Sequence, residues 1–120
     1  VGHITEEIAS VIKRTNYLVI EANYDPQMLE VGPYPYYLKE RIRSGSGHLS
    51  NPLCGEALVA NYTDNLRHIW LCHLSEENNK PEIALQCVVG TLENAGIKTG
   101  ESLSVEALRR KLPTGIFDLE

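Results

Sequence analysis

The sequence has few cysteines, and they are unpaired in pattern. There are 3, an odd number, and Cys54, Cys72 and Cys87 form no C-x-x-C motif. That excludes a disulfide scaffold and a zinc ribbon. Each lies among apolar neighbours, as expected of reduced thiols buried in a cytoplasmic protein. No apolar run reaches membrane-spanning length and no signal peptide opens the chain, so no membrane partner is expected. Basic residues are outnumbered 11 to 16, for a net charge of −5. A global positive field that captures nucleic acid without specificity is therefore excluded, while a local basic strip is not. The glycine-rich fingerprint of the nucleotide-binding folds is missing, as are low-complexity segments. At 120 residues the chain suffices for one small domain, residues 1–120, and no more.

What the chain does have is concentrated polar chemistry at the ends of apolar runs. Leu66 to Cys72 reads as a central buried strand, and His73-Leu74-Ser75-Glu76-Glu77-Asn78-Asn79 follows it directly. Tyr17-Leu18-Val19-Ile20 is a second strand, ending in Glu21-Ala22-Asn23-Tyr24-Asp25. Working groups just past the carboxyl ends of strands are the habit of open α/β sheets. Helices are predicted over 5–14 with Thr5 as N-cap, from Pro26 through Leu29, over 35–43, from Ser50 or Asn51 to about Tyr62, and over 81–94. Residues 102–108 and 116–119 read as further strands. The order predicts an α/β fold with mainly parallel central strands.

Several residues are candidates for chemistry, each with a plainer structural alternative. His73 ends an apolar strand, a rigid place from which to ligate a metal, or it is a buried histidine bonded to backbone. His48 follows the loop Ser44-Gly45-Ser46-Gly47 and precedes a helix start, where it could face a phosphate or donate a proton, or be a solvated loop residue. Glu21 could orient a histidine or be a surface acid. Glu76 and Glu77 read as capping the turn before Pro81, and His68 as structural. The segment 35–43 carries Tyr36, Tyr37, Lys39, Arg41 and Arg43, which could contact a polyanion by stacking and charge or form an ordinary amphipathic helix. Ser50 joins Lys39, Arg41 and Arg43 as a substrate-binding candidate.

Four stretches occur in order: Gly2-His3-Ile4-Thr5, Glu21 to Asp25, Gly47-His48-Leu49-Ser50-Asn51, and His73 to Asn79. Together they resemble the C-terminal half of a metallo-β-lactamase-fold hydrolase of the YycJ (WalJ) type, with ribonuclease Z as a more distant likeness. The resemblance runs from Val1 to about Gly96. It implies an αββα sandwich around two divalent ions, zinc or manganese. It also implies that His73 is a metal ligand, that His48 faces the scissile phosphate and that Glu21 orients His48. The bridging aspartate of the family would fall just before Val1, and its His-x-His-x-Asp-His motif is absent. The expectation is thus a fragment lacking the N-terminal half of its domain, which is its missing partner. With one ligand of about three needed per ion, such a fragment should bind metal weakly and be inactive.

The parent is expected to be a metal-dependent phosphodiesterase, most simply an exonuclease acting on DNA. Two alternatives stay open. One is a small-molecule phosphodiesterase or thioester hydrolase on the same fold. The other is a non-catalytic polyanion-binding module built on 35–43. Strands left uncovered where the missing half would pack should make the chain dimerise or aggregate.

Overall fold

The computed structural model describes residues 6–43, 48–75 and 77–108, with the backbone alone for Arg41 and Arg43. In chain order they form α1 (Glu6–Arg14), β1 (Tyr17–Glu21), α2 (Pro26–Val31), α3 (Tyr36–Arg43), α4 (Asn51–Asn61), β2 (His68–Cys72), α5 (Pro81–Asn94) and β3 (Ser104–Ala107). The strands lie in the order β1-β2-β3, all parallel. The proposed N-cap Thr5 and the strand 116–119 fall outside the described residues.

The strands follow from alternation. Leu18 and Ile20 of β1 and Ile69 and Leu71 of β2 are buried, and Leu18 pairs with Ile69 and Ile20 with Leu71. They share one sheet face with the apolar sides of three helices: Ile12 of α1, Cys54 and Leu58 of α4, and Ala84, Val88 and Leu92 of α5 form one core with them. Each fully buried leucine or isoleucine there contributes about 1.5–3 kcal/mol. Gly55 lets α4 approach α5, since a Cβ there would stand 3.0 Å from the Thr91 side chain.

Leu66 lies in the turn before β2, not in the strand. Its amide donates to Thr63 O, and its side chain still joins the core. Burial alone marks it, and the strand starts only where a neighbour can pair with it. The capping role read for Glu76 and Glu77 is also revised. The N-cap of α5 is Lys80, which makes no side-chain cap bond; Glu77 is exposed in the preceding turn, and Glu76 lies outside the described residues.

The other sheet face carries Tyr17, Val19 and Glu21 of β1, His68, Trp70 and Cys72 of β2, and Glu106 of β3. All are half-buried or exposed, and none belongs to the buried core. Tyr17 and Trp70 have ring centroids 6.3 Å apart, and His68 stacks on Trp70 at 3.9 Å. His68 Nε2 lies 3.2 Å from Glu106 Oε2, in a geometry that makes no hydrogen bond. A parallel sheet is normally covered on both faces.

The strand-end loops are locked by two asparagines. Asn51 and Asn79 are buried and face each other: Asn51 Nδ2 donates to Asn79 Oδ1 at 2.9 Å, and Asn79 Nδ2 donates to Asn51 Oδ1 at 3.0 Å. Asn79 Nδ2 also donates to Ala22 O just past β1, and Asn79 Oδ1 accepts from the Lys80 amide at the start of α5. Truncating Asn79 strands Ala22 O, the Lys80 N–H and the Asn51 carboxamide together, at about 1–3 kcal/mol per buried group left unsatisfied. Asn79→Ala should therefore lower the urea-unfolding free energy by at least about 2 kcal/mol. Asn51→Ala combined with Asn79→Ala should cost less than the sum of the single changes, by about 0.5–3 kcal/mol. Strict additivity would mean that the pair is not a unit.

Candidate active site at the strand ends

Glu21 is the last residue of β1, and Cys72, its register partner, is the last of β2. The Glu21 carboxylate therefore stands at the carboxyl edge of the sheet, on the face away from the helices. His73 follows Cys72 with φ 60°, the left-handed conformation. That conformation costs a residue with a side chain about 1–2 kcal/mol. Asn23 holds it there: Asn23 Nδ2 donates to His73 O at 2.7 Å, and Asn23 O accepts from the Ser75 amide at 2.8 Å. The turn thereby swings the imidazole back over β1.

His48 arrives from the opposite side. Residues 49–51 run alongside 23–24: Asn23 N donates to Leu49 O, Asn51 N donates to Tyr24 O, and Tyr24 bridges Ser50. Ser50 then caps α4, its Oγ accepting from the Leu53 amide at 3.3 Å, and Pro52 fits the first turn. The segment is thus anchored on both sides of the sheet edge, and His48 stands beside Glu21.

A single carboxylate oxygen joins the two histidines. Glu21 Oε2 lies 3.0 Å from His48 Nδ1 and 3.2 Å from His73 Nδ1. The rings approach edge to face, with centroids 5.8 Å apart and an interplanar angle of 70°. The His73 side chain is 69% exposed, which removes the alternative of a buried histidine satisfied by backbone. With each Nδ1 turned to the carboxylate, the Nε2 atoms are the nitrogens left for chemistry. One ligand atom from each of Glu21, His48 and His73 lies within 4.8 Å of the others, an acid-and-imidazole donor set suited to a divalent cation.

The Cys72 thiol is held in its neutral form: burial pushes its pKa up, and the Glu21 charge adds to the effect. Burial likewise raises Cys87 and, most strongly, Cys54, so none of the three is poised as a thiolate.

The other expected site residues fall elsewhere. Ser50 is buried, and its hydroxyl serves the helix cap. Lys39 donates its Nζ to Glu30 O at 2.6 Å, tying α3 to α2. Arg41 and Arg43 lie on α3, and their side chains are outside the described part of the structure. Reading the sequence missed Asn23, which clamps His73, and Asn78, which lines a hollow of about 230 Å³ beside the two histidines. For Asn23 the one signal was an amide just past the end of β1; Asn78, six residues beyond β2, carried none. A second hollow, of about 280 Å³ along β1, is lined mainly by Ile8, Val11, Leu18 and Leu49 and reaches the site only at Glu21.

If the shared carboxylate sets both rings, Glu21→Ala should abolish ring-to-ring nuclear Overhauser contacts between His48 and His73. His68→Ala, on the same sheet face but away from the pair, should leave them intact. Persistence of those contacts in Glu21→Ala would show that the loops alone position the rings.

No family model matches the chain. Among curated proteins it is 38% identical, over 115 residues, to an exodeoxyribonuclease YycJ of Bacillus anthracis; the match takes in 96% of this chain and 44% of that protein. It is 36% identical, over 104 residues, to an exodeoxyribonuclease WalJ of Streptococcus pneumoniae, taking in 87% of this chain and 39% of that protein. The chain thus spans about two-fifths of the length of the relatives it matches. Along nearly all of its own length, it is a YycJ/WalJ-like sequence.

Proposed function

We propose that the protein carrying this chain is a metal-dependent phosphodiesterase, an exonuclease acting on DNA. The observation that carries the reading is the Glu21 oxygen held between two histidine Nδ1 atoms. A carboxylate on one ring nitrogen fixes the tautomer and makes the other nitrogen a better ligand or proton donor–acceptor. His73, the more exposed, binds metal through Nε2. His48 meets the phosphate and gives its proton to the leaving oxygen. Glu21 keeps both rings in place. The names of the two relatives supply the exonuclease activity and the DNA substrate.

Two divalent ions, zinc or manganese, would supply an activated water and neutralise charge on the phosphate. Glu21, His48 and His73 suit part of such a site, and the remaining ligands belong to the rest of the protein. The sheet face with Tyr17, Val19 and Trp70, open among the described residues, supports a second layer there, the other half of an αββα sandwich in a cytoplasmic enzyme. On α3, Tyr36 and Tyr37 are 73% and 69% exposed and share the helix with Lys39, Arg41 and Arg43. Such a surface suits a single strand, through base stacking and charge.

The compact donor set favours a second arrangement, in which His48 is itself a ligand alongside Glu21 and His73. Metal content separates the two. In the full-length protein, His73→Ala should lose metal and activity together. His48→Ala should keep its metal while turnover on a DNA oligonucleotide falls about 10²–10⁴-fold. Loss of metal in His48→Ala would establish the three-donor arrangement. Full activity in both variants would end the catalytic reading.

A further inference from the structure

Two peptide planes flank the Cα of His73, and both are pinned. The plane before it carries Cys72 O, which accepts from the Ala22 amide at 3.1 Å. The plane after it carries His73 O, which accepts from Asn23 Nδ2 at 2.7 Å. Two residues on, the chain is caught again, where the Ser75 amide donates to Asn23 O at 2.8 Å. The soft dihedrals of a residue lie between its two planes, so fixing both planes fixes φ and ψ of His73. The first and third bonds join backbone to backbone and make no demand on the side chain. The second is the one that needs a particular residue.

That need is sharp because His73 sits at φ 60°. The strain of a left-handed residue with a side chain is of the same order as the net gain from one hydrogen bond. Without the clamp the turn can relax, and the imidazole then swings away from the Glu21 carboxylate. Asn23 also reaches the other histidine's segment, its amide donating to Leu49 O at 2.8 Å, next to His48. The residue is buried and lines the hollow that both histidines border. Standing two places past Glu21, it is tied to the chain on either side of the pair.

We propose that Asn23 is a positioning residue of the site: its carboxamide holds His73 in the left-handed turn that sets Nδ1 on Glu21 and turns Nε2 toward a metal ion. This rests on the metal-dependent reading of the same site and deepens it. Asn23 touches neither ion nor substrate in this role and acts through His73. His73 O requires a donor, which a carboxylate of the same shape or an apolar side chain of similar size does not offer.

The plainer role is an amide that only stabilises the fold, and Asn61 supplies the comparison. It is buried at the end of α4 away from Ser50, and its Nδ2 donates to Ala57 O. The test uses the full-length protein, with zinc affinity read by competition against a chelator and the melting temperature read on the metal-free form. Asn23→Leu removes the donor and keeps the bulk and the backbone bonds. It should weaken zinc binding about 10- to 100-fold, the usual effect of losing a group that orients a ligand. Asn61→Ala should lower the melting temperature and leave zinc affinity as it was. Unchanged affinity in Asn23→Leu would overturn the proposal, and so would an equal loss in Asn61→Ala. A second variant, Asn23→Asp, keeps the shape without a donor at neutral pH and is read by nuclear magnetic resonance without metal. The ring-to-ring contacts between His48 and His73 should vanish, and the backbone carbon shifts of His73 should leave their left-handed values. Persistence of both would overturn the proposal even if leucine does not fit. If the unaltered protein binds no metal, the phosphodiesterase reading falls, and the Asn23→Asp spectra alone decide: their change supports the positioning of His73 by Asn23, and their constancy ends it.

Discussion

The rest of the structure depends on the reciprocal amide pair of Asn51 and Asn79. Three backbone segments converge where the sheet ends: the exit of β1 at Ala22, the start of α4 at Asn51 and the start of α5 at Lys80. Ala22 and Asn51 are fully buried there. Their polar groups need partners, because a buried amide or carbonyl without one costs about 1–3 kcal/mol. The two carboxamides satisfy one another and, between them, Ala22 O and the Lys80 amide. A bidentate amide pair has one geometry, so it sets register as well as energy. Through it, the loop carrying His48 and the loop carrying His73 are referred to the same point on β1.

On that frame, the site is an exercise in sharing. One carboxylate oxygen serves two imidazoles, each through Nδ1. The arrangement requires His73 to turn back immediately after β2, which the left-handed backbone accomplishes and the Asn23 amide secures. Strain of this kind persists where surroundings over-determine it, and such places are commonly functional. The polarity is also directional. Both Nδ1 atoms face the Glu21 carboxylate, which leaves the Nε2 atoms, among the described residues, as the nitrogens turned to other partners. An acid between two histidines thus does the work of orientation twice with one side chain.

The sheet has an unequal pair of faces. The helix side is a closed core, whereas the side with Tyr17, Val19 and Trp70 is aromatic and open among the described residues. The site sits at the carboxyl edge of the open side, so a layer packed there would share that edge. The match to less than half of each relative has the same sense as this geometry.

The sequence by itself determined the element order, because apolar runs at 17–20 and 66–72 and prolines at the first turns of α2, α4 and α5 are local signals. It also marked His48, His73 and Glu21, since each is a polar group directly after an apolar run or a glycine-rich loop. What it could not carry was which partner each residue meets. Ser50 and Lys39 read as surface groups for a substrate, yet one closes a helix end and the other joins two helices. Leu66 reads as strand because burial, not pairing, selects its side chain. Asn23, Asn51, Asn78 and Asn79 are indistinguishable as letters. Tertiary structure alone made the first a clamp on His73, the second and fourth a buried pair, and the third an amide whose buried Oδ1 is unpaired among the described residues. A carboxamide has no period and no preferred partner, and its role is set by whichever donor or acceptor the folded chain brings within about 3 Å.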